Sequence, residues 1–288
     1  MLISESFDTY ISDHIAFIGQ SGKTEESYIA TKKMMIARFG DIPITALGFR
    51  DIRDWKLFLD KGRSPNTVRN YIVCLRVVLR FLSLRGVQVI NPDTVPVPKR
   101  KHTETDYLTE DEFGSLLAAV SRTTRGYCVG NRLRNIAILK TLYATGLRNA
   151  ELCSLNRSTI KDNTFTVVGK GNKPRICFIS KDAVEAIDDY LKCRKDNNEA
   201  LFVSKTGQRI TPDGVRRIFS FIRKSYSEFK GVHPHTIRHS YATKLLKRRV
   251  DIRYVKEFMG HESLDTTAHY THIVNEDLKN IYLDAIGY

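Results

Sequence analysis

The sequence predicts a mainly α-helical protein with a small antiparallel β-sheet, in which an N-terminal helical bundle precedes an α+β domain. Apolar residues recur at helical spacing through most of the first 90 residues. A basic segment rich in proline, NPDTVPVPKRKHTETD at 91–106, then interrupts this pattern. Residues 165–180 alternate in polarity on both sides of Gly-Lys-Gly-Asn-Lys, which is typical of a β-hairpin. We therefore expect domains at 1–90 and 107–288, joined by a linker at 91–106.

Four helices are predicted in the first domain. Three runs with helical periodicity cover 5–19, 24–39 and 49–60. Ser64 followed by Pro65 is a helix start signal, and it opens the run TVRNYIVCLRVVLRFLSLR. Five basic residues of this region are candidates for a DNA-facing side, although a solvated helix face explains any one of them equally well: Lys61, Arg63, Arg69, Arg76 and Arg80.

The second domain is predicted to contain helices on both sides of the hairpin. Thr109 to Glu112 form a capping box that opens a helix to about residue 121. A second helix covers 132–146, where Gly146 ends it. Further helices are predicted at about 181–194, 211–226, 234–248, 252–260 and 274–285.

The composition favours a polyanionic partner. The net charge is +14 and the pI is near 9.6, and residues 201–250 hold 12 Lys and Arg against 2 Asp and Glu. Because the basic residues are spread along the chain, nucleic acid is favoured over a membrane surface. A solvated face is the usual explanation of a charge run, but this run contains the HTIRH cluster described below.

Neither secretion nor membrane insertion is indicated. The N-terminus has no basic, apolar signal pattern, and no stretch approaches the length of a membrane span. The five cysteines are odd in number and form no CxxC pair, which favours a reducing cytoplasm. Cys74, Cys153 and Cys177 lie in apolar patterns and are predicted to be small core residues. We expect a cytoplasmic protein that associates with the nucleoid.

Three short clusters near the C-terminus indicate phosphoryl transfer. They read HTIRHSYAT, MGH and TTAHYTH, and they place His235, Arg238, His261 and Tyr270 within 36 residues. Arginine and histidine hold and neutralise a phosphate, and a tyrosine hydroxyl is able to attack one. No acidic pair or Cys/His set with metal-ligand spacing accompanies them, so chemistry without a metal is predicted.

Two arginines are candidates for neutralising the phosphate. Arg148 follows the Gly146 helix stop in ATGLRNAEL, and Arg238 shares a helix face with His235. Alone, either is more often a surface or salt-bridge residue. Glu151, three residues after Arg148, could hold its guanidinium group, although a plain intrahelical ion pair has the same spacing.

Candidates for the proton donor and the nucleophile are less distinctive. Lys170 lies at the tip of the predicted hairpin between two glycines, where a lysine is usually just solvated, and Lys173 is a rival for the same role. Tyr270 is by default a packed aromatic residue. The polar sequence around it and His261, nine residues before it, favour a functional role.

A zinc site is the alternative interpretation of the histidines. His235 and His239 have i, i+4 spacing, and His269 and His272 are close in sequence. No HExxH motif or carboxylate-rich set accompanies them, and Arg238 would repel a cation. We expect no metal and no other cofactor.

In order and spacing, these motifs resemble the tyrosine recombinase family of phage integrases and Xer-like enzymes. The resemblance rests on Arg148 in ATGLRNAEL, Lys170 in GKGNK, and then HTIRH, GH and TxxY, and it covers about 107–288. The segment SPNTVRNYIVCLRVVLRFL resembles the core-binding domain of that family. Ile237 and Met259 stand where the family more often has leucine, and Pro174 where a glutamate is common.

The resemblance implies a role for each residue. Tyr270 would attack the scissile phosphate, leaving a 3′-phosphotyrosine and a free 5′-hydroxyl. Arg148 and Arg238 would clamp the non-bridging oxygens, supported by Glu151. His235 and His261 would hydrogen-bond the phosphate, with His235 accepting the proton of Tyr270. Lys170 would protonate the leaving oxygen.

The resemblance also implies partners and an assembly. The two domains would clamp double-stranded DNA carrying paired recombination sites, and neither ATP nor a metal would be needed. A monomer in solution would form a homotetramer on DNA, with NEDLKNIYLDAI docking on a neighbouring protomer. Two alternatives stay open: a DNA-binding accessory protein that does not cut, and a type IB topoisomerase-like enzyme that relaxes DNA.

Overall fold

The computed structural model of this protein describes residues 1–17, 22–99, 107–122, 129–169 and 173–260. The chain divides into two compact units, Met1–Thr103 and Glu104–Tyr288. Each unit encloses its own hydrophobic core. None of the described helices is long and apolar enough to cross a membrane.

The first unit is a helical bundle. Helix α1 covers Ile3–Tyr10 and runs on as a π-helical turn over Ile11–Ile15, and α2 covers Gly22–Phe39. Helix α3 covers Phe49–Asp60, and α4 covers Pro65–Leu84. Short 3₁₀ turns cover Ile44–Ala46 and Pro92–Thr94. The helices predicted at 24–39, at 49–60 and from Pro65 are confirmed, and the helix predicted at 5–19 is confirmed as far as Ile15. Residues 18 and 19 of that prediction lie outside the described residues.

Helix α4 begins as its sequence predicts. The Ser64 hydroxyl accepts a hydrogen bond from the Thr67 amide at 3.2 Å, and Pro65 occupies the first helical position. The cap satisfies one of the amide groups that a helix start leaves unpaired. The apolar face of α4 is then buried against α2 and α3.

The core of the first unit extends past the end of α4. Trp55, Phe7 and Leu75 are fully buried in it. Val95, from the proline-rich segment, belongs to the same core. Arg76 and Arg80 of α4 both donate to the Asp93 carboxylate of that segment. These contacts fasten residues around Asp93 to the helical unit.

The second unit is α+β. Helix α5 covers Glu110–Arg122, α6 covers Val129–Thr145, and the short α7 covers Asn149–Ser154. Strands β1, Thr164–Val168, and β2, Pro174–Phe178, form the predicted hairpin. The remaining helices are α8, Lys181–Lys192; α9, Pro212–Ser225; α10, Pro234–Lys247; and α11, Ile252–Met259, with a 3₁₀ turn at Ser227–Phe229.

The expectations for this unit are largely confirmed. The Thr109–Glu112 capping box is formed, with the Thr109 amide donating to Glu112 Oε2 at 2.8 Å. Cys74, Cys153 and Cys177 are buried. Helix α7 was not predicted, because six residues are too few to show a helical period. The helix expected at 274–285 lies outside the described residues.

The two strands pair antiparallel and alternate in burial. Phe165 faces Cys177 and Val167 faces Arg175 across the ladder, and these four side chains lie on the inner face. Helix α6 packs against α8 and α10, and α11 packs against β2. This packing places the turn after α6, the hairpin and the end of α11 side by side.

Candidate active site

Gly146 determines how the chain reaches Arg148. It ends α6 with a φ of +62°, a conformation that glycine adopts without strain. The ring of Tyr241, on α10, lies so close that a Cβ at this position would overlap its Cδ1 atom. Because of both constraints, the turn that presents Arg148 requires glycine.

Arg148 is held by Glu151 at the start of α7. Its backbone amide donates to Glu151 Oε2 at 2.8 Å and its Nη1 donates to Oε1 at 2.9 Å. Glu151 is 6% exposed, whereas the side chain of Arg148 is 31% exposed. Arg148 itself precedes the helix, so the contact is a helix cap as well as an ion pair. The pairing therefore fixes both the backbone and the guanidinium group of Arg148.

A second arginine, Arg175 of β2, binds the same carboxylate. Its Nη1 donates to Glu151 Oε1 at 2.9 Å and its Nη2 donates to Oε2 at 2.7 Å. The two parallel bonds form a fork, which is the strong geometry for an arginine and a carboxylate. Glu151 thus joins the turn before α7 to the hairpin.

The surroundings of Glu151 keep it ionised. Burial alone would raise its pKa, but hydrogen bonds from Arg175 and from the Arg148 amide outweigh that effect and lower the pKa to about 2. Burial works against the charge of Arg175 as well, yet its bonds to Glu151 raise the pKa of the guanidinium group. Both partners therefore stay charged.

Arg238 reaches the same region from α10. Its side chain is buried, and it donates from Nη1 to the Gly146 carbonyl and from Nη2 to the Met259 carbonyl. Arg148 donates from Nη2 to the next carbonyl along, that of Gly260, at 2.6 Å. The structure therefore brings the two predicted clamp arginines to neighbouring carbonyls at the end of α11, immediately before His261.

Two histidines lie at the start of α10. His233 caps the helix, because its Nδ1 atom accepts a hydrogen bond from the Thr236 amide at 3.0 Å. Its ring meets that of His235 edge to face, with centroids 6.2 Å apart. His235 is exposed, while Arg238, one turn on, points into the unit. The two therefore share a helix but not an environment.

Three of the predicted site residues, Lys170, His261 and Tyr270, lie outside the described residues. At the base of the hairpin loop, the Gly169 amide donates to the Lys173 carbonyl at 2.9 Å, and Lys173 is exposed. Within the described part of the chain, no group of three or more His, Cys, Asp or Glu residues could hold a metal ion.

Comparison with known proteins identifies the family. Residues 106–276 match the family model described as Phage integrase family, which is more than half of the chain. The chain belongs to the phage integrase, or tyrosine recombinase, family. The protein is similar to tyrosine recombinase XerC of Staphylococcus aureus, with 32% identity over 252 residues, 85% of this chain and 83% of that relative.

Solved tyrosine recombinase structures share the fold. The Tn1549 transposon integrase, solved in complex with circular intermediate DNA, has a TM-score of 0.75 at 19% identity, covering 94% of this chain and 95% of that one. A lambda integrase dimer bound to a COC′ core site has a TM-score of 0.72 at 19% identity, covering 91% and 75%. The predicted fold class is confirmed.

The roles of Arg175 and His233 in this tyrosine recombinase were not predicted from the sequence. Arg175 had a detectable signal, since it falls on the inner face of an alternating strand, where a charge needs a partner. His233 had none, because histidine is an uncommon helix cap. The departures Ile237 and Met259 are both buried, so they are packing changes.

Proposed function

We propose that this chain is a site-specific DNA recombinase that cleaves and rejoins DNA through a 3′-phosphotyrosine at Tyr270. One observation carries the proposal for the site: Arg148 and Arg238, 90 positions apart in sequence, meet at the carbonyls just before His261. Two guanidinium groups on adjacent carbonyls suit a phosphodiester, whose negative charge must be neutralised during attack.

In the proposed cleavage step, the Tyr270 hydroxyl forms a bond to phosphorus and the bond to the 5′-oxygen breaks. His235 accepts the proton of Tyr270, and Lys170 gives a proton to the leaving oxygen. Arg148 and Arg238 neutralise the non-bridging oxygens, and His261 donates a hydrogen bond to one of them. Glu151 holds Arg148 in place.

Rejoining is the same step in reverse. A 5′-hydroxyl attacks the phosphotyrosine, and Tyr270 leaves with a proton. Each step exchanges one phosphate ester for another, so the bond energy is conserved and neither ATP nor a metal ion is required. Attack by the 5′-hydroxyl that cleavage released restores the original strand, and attack by a 5′-hydroxyl of the partner site exchanges the strands.

The proposed partner is duplex DNA carrying paired recombination sites, bound in the cytoplasm on the nucleoid. The charge of +14 supports this partner, because basic residues gain affinity by displacing cations from DNA phosphates. Strand exchange between two sites requires four cleavages, so we propose a homotetramer on DNA that forms from free monomers.

Covalent capture from a randomised duplex tests the proposal and recovers the recognised sequence in the same experiment. Each duplex carries a nick near the randomised core, so that the short strand released by cleavage diffuses away and rejoining is prevented. Adducts are isolated after denaturation and the attached DNA is sequenced. We expect a defined sequence from the wild-type chain, in the presence of EDTA and without ATP, and no adduct from Tyr270→Phe.

The control separates cleavage from binding. Tyr270→Phe should still retain the recovered duplex in a gel-shift assay, because the clamp arginines are intact. Sequence-specific binding by the wild-type chain without any adduct would favour the accessory protein. Adducts with no preferred sequence, together with plasmid relaxation, would favour the topoisomerase-like enzyme. Adducts that disappear in EDTA would contradict metal independence.

A further inference from the structure

Arg175 adds a second positive charge next to the Glu151 carboxylate. With Arg148 alone, the carboxylate and the guanidinium group would form a neutral pair, and a phosphate would gain little from Arg148. The structure places a second guanidinium group on the same carboxylate, with two bonds of 2.9 and 2.7 Å. The three groups together carry one positive charge.

Arg175 and Arg148 differ in exposure and in hydrogen-bond partners, which indicates different roles. The side chain of Arg175 is 10% exposed, and both of its Nη atoms are bonded to Glu151. Arg148 is three times as exposed, and it uses one Nη atom on Glu151 and the other on the Gly260 carbonyl. Arg175 therefore fits a buried counterion, and Arg148 is the member of the set that a phosphate can approach.

Arg175 also supports the carbonyl to which Arg148 donates. Gly260 has a φ of +60°, and a Cβ there would lie 3.0 Å from the Cδ and Nη1 atoms of Arg175. The aliphatic part of Arg175 thus packs directly under the end of α11. The side chain of Arg175 therefore contacts both Glu151, which holds Arg148, and Gly260 at the C-terminal end of α11.

We propose that Arg175 is a positioning residue, which neutralises Glu151 and so leaves the charge of Arg148 available to the scissile phosphate. The inference rests on the proposed function and assigns a role to a residue outside the clamp itself. Without Arg175, Arg148 would serve as the counterion of Glu151. The rate of cleavage should then fall more for a charged scissile phosphate than for an uncharged one.

The test compares two substrates that differ in the charge of the scissile group. One is the duplex recovered by covalent capture, and the other carries a methylphosphonate at the scissile position, where a methyl group replaces one charged oxygen. Rates of adduct formation are measured for the wild-type chain and for Arg175→Gln. We expect a defect of about 10- to 100-fold on the phosphate and of less than about threefold on the methylphosphonate.

A double variant tests the electrostatic cause. In Arg175→Gln/Glu151→Gln no carboxylate remains to neutralise Arg148, while the amide oxygen of the new side chain at 151 can still accept a hydrogen bond from Arg148. We therefore expect the phosphate rate to recover by about tenfold over Arg175→Gln, and no recovery would count against the electrostatic cause. Arg175→Lys keeps the charge without the fork. Its defects on the two substrates should agree within about threefold, and this variant tests the proposal even where Arg175→Gln does not fold.

Arg194 supplies the matched control. It is another buried arginine of the same unit, paired with Asp196 and bonded to the carbonyls of Ala200 and Leu201, away from Glu151. Arg194→Lys should change both rates by the same factor. Equal defects of Arg175→Gln on the two substrates, or a charge-dependent defect of Arg175→Lys, would overturn the role of Arg175. Loss of the wild-type adduct would instead contradict the proposed function.

Discussion

One carboxylate, that of Glu151, receives hydrogen bonds from two guanidinium groups and a backbone amide. Removing one partner of a buried charge pair is costly, because the remaining charge has neither water nor a counterion. Glu151 therefore contributes both to the stability of this unit and to the position of Arg148. Its contribution to stability depends on pH.

The pKa of Glu151 is lowered from 4.5 to about 2. A lowered pKa in the folded state stabilises the protein above the unfolded value, and the contribution is lost as the pH falls from about 4.5 to about 2. The shift corresponds to about 3 kcal/mol at neutral pH. We expect Glu151→Gln to be less stable than the wild-type chain at pH 7, with the gap shrinking towards pH 2.5.

Urea unfolding of both chains, followed by circular dichroism at several pH values, measures this gap. Asp213→Asn is a suitable control, because Asp213 is an exposed carboxylate of the same unit, paired with Arg216. Its effect on stability should be small throughout. A gap between the wild-type chain and Glu151→Gln that is constant from pH 7 to pH 2.5 would contradict the lowered pKa.

At the scale of single residues, the sequence predicted which residue types belong to the site better than it predicted their contacts. The i, i+3 spacing of Arg148 and Glu151 is local, so their pairing was predictable. The contact of Arg175 with Glu151 joins residues 24 apart, and that of Arg238 with Met259 joins residues 21 apart in different elements. Such pairings depend on how elements pack, which local periodicity does not determine.

At the scale of elements, the turn after α6 is constrained by its backbone conformation and by a neighbouring side chain. Gly146 combines a positive φ with the close approach of the Tyr241 ring. Tyr241 lies on α10 three residues after Arg238, so displacing its ring would disturb both clamp arginines. This turn thus couples the end of α6 to α10.

Gly146→Ala should therefore destabilise the protein by about 2–5 kcal/mol, the sum of a left-handed backbone cost and a steric clash. Gly207→Ala is the matched control: Gly207 has a φ of +76° in the same unit, and a Cβ added there would have no atom within 4 Å. It should cost only about 1–2 kcal/mol. Equal losses of stability in urea unfolding would show that the Tyr241 contact is unimportant.

The elements themselves were predictable where a local signal exists. Ser64 and Pro65 predicted the start of α4, and the alternation around Gly169 predicted the hairpin. The run at 5–19 predicted a helix through Ile11–Ile15, but not the π-helical hydrogen bonding of this turn, because side-chain periodicity does not report which carbonyl each amide binds. Helix α7 was not predicted, because six residues are too few to show a hydrophobic period.

At the scale of the molecule, the chain consists of two units with separate cores and one strongly positive overall charge. The composition predicted a polyanionic partner, and the family assignment agrees with it. The packing of the second unit explains how residues from α6, α7, β2, α10 and α11 meet. The proposed chemistry adds one requirement to this arrangement, a nucleophile after α11.

The most direct test of the central claim is to identify the tyrosine that becomes bound to DNA. The covalent adduct from the captured duplex is digested with nuclease and protease, and the nucleotide-bearing peptide is sequenced by mass spectrometry. Of the thirteen tyrosines in the chain, we predict that Tyr270 alone carries the nucleotide, joined through a 3′-phosphate. A nucleotide on any other tyrosine, or one joined through a 5′-phosphate, would contradict the account.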